Sequence, residues 1–198
     1  MLPVKQPGAF ILNLIFVFVY FRMVKQIIHK IAVLDRWVSI KVHHWTGMPR
    51  VDSFMHLISR AADGYIYVGV AVLLFWINRE LGLDFLHAAI IAFTLEMFIY
   101  IVVKRFTHRL RPFEALANIR SLIKPPDRFS FPSGHTAGAF IMATLLSAFY
   151  SIVCIPAYFL AGLVGFSRIY NGVHYTSDVL AGMVLGISCA KIGLRFIF

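Results

Sequence analysis

Phe131-Pro132-Ser133-Gly134-His135 stands where a basic, polar loop runs into an apolar stretch that continues to Tyr150. A serine, a glycine and a histidine at a helix start make an anion site with a proton donor beside it. Backbone N–H groups in a first helical turn have no partners inside the helix, and the helix dipole adds partial positive charge. A phosphate can therefore be held there without a metal. Ser133 is suited to cap such a helix, and Gly134 lets the backbone approach an oxyanion closely. Alone, the tetrapeptide also reads as an ordinary helix start, so the weight falls on what surrounds it.

The surroundings are those of a membrane protein. The 198 residues are 60% hydrophobic and 14% charged, with a mean hydropathy of +0.78, far more apolar than a soluble domain. Apolar runs at 9–24, 64–78, 83–103, 134–150, 152–166 and 179–198 approach the roughly 20 residues that cross a bilayer. The expectation is an all-α integral membrane bundle of about six transmembrane helices, forming a single domain over 1–198. The first run is short and fits either a tilted crossing or an interfacial helix. Residues 25–63 mix Val, Ile, Leu, Trp and Phe with Lys25, Arg36, Lys41 and Arg60, which suits amphipathic interfacial helices broken near Gly47 and Pro49. In the last run Ala181, Gly182, Gly186, Ser188 and Ala190 allow close helix packing.

The formal charge is +10, from 19 Lys and Arg against 9 Asp and Glu. Because the basic residues crowd between apolar runs, anionic headgroups or a phosphorylated substrate suit them better than nucleic acid. His43, His44 and His56 have no Cys or carboxylate cluster at metal-ligand spacing, so neither metal nor cofactor is expected. Glu96 lies inside the third run, where a carboxylate is either functional or bonded to a neighbouring helix.

Counting crossings brings three separated stretches to one membrane face. The third run ends at Lys104 and the fourth begins beside Ser133; the fifth returns to Ser167-Arg168, and the sixth leaves after Asp178. In Lys104 to Pro112, a lysine point charge and an arginine fork suit a phosphate dianion. If the helix continues, Lys104 and Arg111, seven residues apart, share a face, with Pro112 ending it. In Ser167 to Asp178, His174 and Asp178 are four residues apart, close enough for the carboxylate to hold one ring nitrogen and aim the other outward. Arg168 adds a phosphate donor.

Together these stretches resemble the tripartite motif of the type 2 phosphatidic acid phosphatase superfamily, K-x6-RP, PSGH and SR-x5-H-x3-D, at every defined position. The resemblance implies metal-independent hydrolysis of a membrane lipid phosphate or diphosphate through a phosphohistidine. By it, His174 is the nucleophile, Asp178 its orienting partner and His135 the proton donor to the leaving oxygen. Lys104, Arg111, Arg168, Ser133 and Gly134 bind the phosphate oxygens. It further implies a bacterial inner-membrane protein whose site opens outward, whereas the excess of basic residues on the site's face points to the cytoplasm. Lys5, Arg79, Lys191 and Arg195 are the basic residues assigned to the other face. The competing reading is a membrane protein that binds or moves an anionic lipid without hydrolysing it.

Overall fold

The computed structural model describes residues 7–198, with side chains from Phe18 onward, so Lys5 lies outside the described residues. Among these the chain is an all-α bundle. Helix α1 spans Pro7–His43, α2 Pro49–Ala61, α3 Tyr65–Ile77, α4 Arg79–Thr107, the short α5 Pro112–Ala115, α6 Gly134–Phe149, α7 Cys154–Tyr170 and α8 Thr176–Leu194. A 3-10 turn, Ser151–Val153, leads into α7.

Three of these segments are long and apolar enough to cross a membrane: α4, the turn with α7, and α8. The second expected span, α3, qualifies only when joined to α2 through a 56° bend. The fourth, α6, has only 16 residues but occupies the centre, packed by α4, α7 and α8, with every residue from Thr136 to Leu145 buried. The first run does not end where the charged residues begin. It continues as one 37-residue helix, because no glycine or proline interrupts residues 9–46; the break falls at Gly47 and Pro49 as expected. In its second half Asp35, Ser39 and Val42 are buried while Trp37 stays exposed, the amphipathic pattern expected there.

Burial is inverted relative to a soluble protein. Large apolar side chains such as Trp76, Phe98, Ile155 and Val184 face outward, whereas Arg111, Arg168 and Asp178 are fully enclosed at one end. Hydrocarbon is the solvent that makes the first arrangement favourable, and mutual pairing makes the second possible.

The small residues of α8 set its distance from α6. A Cβ at Gly182 would strike the carbonyl oxygen of Ser133, one at Gly186 that of Ala137. Gly186→Ala must push the helices apart, and overpacking of this kind costs roughly 1–3 kcal/mol. A lower thermal unfolding midpoint of the detergent-solubilised protein is the expected result.

Candidate active site

The first motif reaches the site by a different path from a continued helix. α4 stops at Thr107, His108 takes a left-handed conformation (φ 44°), and Leu110 pairs with Phe129 as an isolated antiparallel bridge. Arg111 is therefore extended (φ −73°, ψ 155°), as a residue before proline prefers. Its guanidinium is buried and fully engaged. Nη1 donates to Val173 O at 2.8 Å and lies 3.3 Å from His174 Nε2; Nε donates to Asp127 O at 3.0 Å and Nη2 to Asp127 Oδ1 at 2.8 Å. Lys104 Nζ meets the other Asp127 oxygen, Oδ2, at 2.6 Å, and Tyr100 also donates to it at 2.8 Å. Burial pushes the Asp127 carboxyl up, but the hydrogen bonds from Lys104 and Tyr100 and the nearby cations outweigh it and hold the group below the usual carboxylate range.

The third motif turns at Asn171-Gly172. Gly172 has φ +72°, and a side chain there would meet Arg120 O at 2.8 Å, so both backbone and space require glycine. His174 follows in the loop before α8, and Asp178 lies in that helix's first turn. His174 Nδ1 faces Asp178 Oδ2 across 3.7 Å, beyond hydrogen-bond range, and has no other partner. Asp178 Oδ2 accepts from Tyr175 N at 2.8 Å, and Oδ1 accepts from Arg109 Nη1 at 2.6 Å. The other arm of Arg109 reaches Asp35 on α1 at 2.7 Å, and Asp35 also accepts from Ser177 N at 2.9 Å. Burial lowers the pKa of His174; the Asp178 carboxylate opposes this, while the Arg168 and Arg111 charges add to it. The ring is consequently neutral at physiological pH, the form that can act as a nucleophile.

At the PSGH stretch, Ser133 caps α6 as expected, accepting from Thr136 N at 3.4 Å. Its hydroxyl is fully buried and pairs with Thr136 Oγ1 at 2.8 Å, and its N–H donates to Asp178 O at 3.1 Å. The backbone N–H of residue 133 thus ties the second motif to the third. His135 Nε2 lies 2.9 Å from Asp63 Oδ1, at the bend between α2 and α3. Arg168 donates through Nη1 to Ser59 Oγ, and its Nε is buried without a partner. His135, Gly134, Arg168 and Asp63 line a cavity of about 650 Å³.

All eight residues singled out from the sequence thus converge at one end of the bundle. The sequence reading missed four carboxylate and guanidinium groups that hold them. Arg109 sits inside the first motif at an unspecified position, and Asp127 lies five residues before Pro132. Asp35 is the one acid among many basic residues in the second half of α1, and Asp63 follows α2 directly before a glycine. Their isolation among cations was a signal, but their partners lie 16 to 142 residues away.

This fold is that of a helical membrane protein with two histidines, His135 and His174, and the cations Lys104, Arg111 and Arg168 gathered at one end of the bundle. The sequence model of the PAP2 superfamily matches residues 85–198, and the chain belongs to that superfamily. An undecaprenyl-diphosphatase of Sulfolobus acidocaldarius is 32% identical over 153 residues, covering 74% of this chain and 70% of that one. The bacitracin transport permease protein BcrC of Bacillus licheniformis is 31% identical over 125 residues, and the chain covers 62% of its length. The crystal structure of Aquifex aeolicus LpxE superposes with a TM-score of 0.72 at 31% identity, covering 82% of this chain and 95% of that one. A transmembrane PAP2-type phosphatidylglycerolphosphate phosphatase from Bacillus subtilis gives 0.69 at 25% identity, with coverage of 92% and 94%.

Proposed function

We propose that the protein hydrolyses a lipid phosphate or diphosphate through a covalent phosphohistidine, without a metal. The observation that carries this reading is the Asp127 carboxylate, an oxyanion bridging Lys104 and Arg111, with the other arm of Arg111 3.3 Å from His174 Nε2. A phosphoryl group exchanging with that carboxylate would have two cations on its oxygens and an imidazole nitrogen within reach of phosphorus.

His174 Nε2 attacks phosphorus, the bond to the leaving oxygen breaks, and His135 gives that oxygen its proton. Water then attacks the phosphohistidine, with His135 taking its proton, and inorganic phosphate departs. Lys104, Arg111 and Arg168 neutralise the equatorial oxygens as charge spreads over them. Asp178 balances the charge that develops on His174. A non-catalytic lipid binder needs the cations but has no use for the two histidines.

Asp63 acts through His135. Its carboxylate fixes the ring and leaves the other nitrogen for the substrate, so Asp63→Asn slows departure of a poor leaving group. The expected loss of kcat is about 10²-fold for a lipid alkyl phosphate, and much less for an aryl phosphate with an acidic leaving group. Equal losses on both would remove Asp63 from this role.

Two signals disagree on the face to which the site opens. The family resemblance implies the outer face of a bacterial inner membrane; the basic residues of the site's face imply the cytoplasm. Ala117 is exposed on the loop after α5, so labelling of Ala117→Cys by an impermeant thiol reagent decides between them. Labelling in intact cells supports the outward site, and protection until lysis supports the inward one.

A further inference from the structure

Glu96 is 94% buried in the middle of α4, being 6% exposed, and no hydrogen bond or ion pair joins it to another described residue. It lines the same 650 Å³ cavity as His135 and Gly134. Tyr67 of α3 lines that cavity too, and its hydroxyl is buried without a partner. The unpartnered Tyr67 hydroxyl and the Glu96 carboxyl group thus share one cavity beside the proton donor to the leaving oxygen. Beyond them the lining changes character. Tyr67 and Phe93, stacked with centroids 5.9 Å apart, also border a second cavity of about 410 Å³ between α3 and α4, lined by apolar side chains such as Val72, Phe75 and Leu86. Tyr67 and Phe93 thus stand at both the cavity that holds His135 and Glu96 and the apolar one.

We infer that Glu96 and Tyr67 form a subsite for the leaving group, selecting lipids that carry a neutral hydrogen-bond donor within a few bonds of the leaving oxygen. This rests on the phosphatase reading above. The Glu96 carboxyl group accepts that donor and the Tyr67 hydroxyl completes the pair, donating to an ether or ester oxygen. The glycerol hydroxyl of a phosphatidylglycerophosphate and the amide N–H of an acylated sugar 1-phosphate share this chemistry. A prenyl diphosphate does not: it would place the inner, anionic phosphate near the carboxylate, followed by bare hydrocarbon. A site built to bond a polar group rejects analogues lacking it, because its own groups are then left unpaired.

The test is kcat/KM of the purified full chain in detergent on four substrates: phosphatidylglycerophosphate, its analogue lacking the glycerol hydroxyl, lipid A 1-phosphate and undecaprenyl diphosphate. Wild type is expected to prefer the hydroxyl-bearing lipid over its deoxy analogue by about tenfold, the worth of one hydrogen bond. Tyr67→Phe and Glu96→Leu should erase most of that preference through KM, leaving the deoxy lipid and the diphosphate within about twofold. Glu96→Gln, nearly isosteric, should keep part of it, which separates lost bonding from misfolding. The lipid A arm tells whether the donor is read on sugar as well as on glycerol; selectivity for either supports the subsite. Wild type indifferent to the missing hydroxyl, or variants that lose activity equally on all lipids, would overturn it. If phosphate is released from these lipids without discrimination, only this inference fails; if none is released from any lipid, the phosphatase reading falls and takes the inference with it.

Discussion

His174→Ala is expected to lower kcat by on the order of 10⁴-fold or more on every lipid phosphate, because it removes the proposed nucleophile, the imidazole nitrogen 3.3 Å from Arg111. The variant should still bind substrate, since Lys104 and Arg168 keep their contacts and Arg111 keeps those to Val173 and Asp127, so KM changes little. A second signature comes from burial. His174 is enclosed and its pKa is lowered from 6.5 in the folded chain, so below about pH 6.5 the unfolded chain takes up a proton that the native one refuses. Stability is therefore lost as pH falls through that range. The alanine variant lacks this component, and between pH 7.5 and 5.5 wild type should lose about 1 kcal/mol more than the variant. Phosphate release measured beside pH-dependent thermal unfolding checks both effects.

Arg109→Leu is expected to cost about 3–5 kcal/mol of stability, because it leaves Asp35 and Asp178 buried with an uncompensated charge. The Arg109 fork ties α1 to the first turn of α8 alongside the direct hydrogen bonds from Ser177 to Asp35. Losing it frees Asp178 Oδ1 and repels Asp35 from Asp178, so His174 loses its orienting partner as well. A fall in kcat should accompany the loss of stability, and the double variant Asp35→Asn, Arg109→Leu should recover part of the stability by removing one stranded carboxylate. Unfolding of the single and double variants in detergent measures the coupling directly. A single variant as stable as wild type would show that the network contributes packing alone.

Much of the site was legible before the fold. Phosphate chemistry restricts the residue types near the scissile bond, so Lys104, Arg111, His135, Arg168, His174 and Asp178 stood out by type and spacing, and the apolar runs fixed that their ends meet. What stayed hidden was long-range. Arg111 arrives by an extended loop pinned by the Leu110–Phe129 bridge, and that geometry depends on a partner 19 residues later. The isolation of Asp127, Asp63 and Asp35 among cations names no partner, because a carboxylate's meaning here is set by which cation or histidine it meets across the bundle. The continuity of α1 was readable from the absence of helix breakers, yet hydropathy changes along it where its backbone does not. Ser133 shows the reverse case: its cap was foreseen, but its burial against Thr136 and its link to Asp178 depend on how closely Gly182 lets α8 approach.

The covalent intermediate is the centre of the account, and rapid acid-free quenching of wild type with a ³²P-labelled lipid phosphate in EDTA addresses it most directly. The expected result is label on the peptide containing His174, stable to alkali and released by acid, and missing from His174→Ala. Phosphate release at full rate with no protein-bound label, or label that persists in the variant, would contradict it.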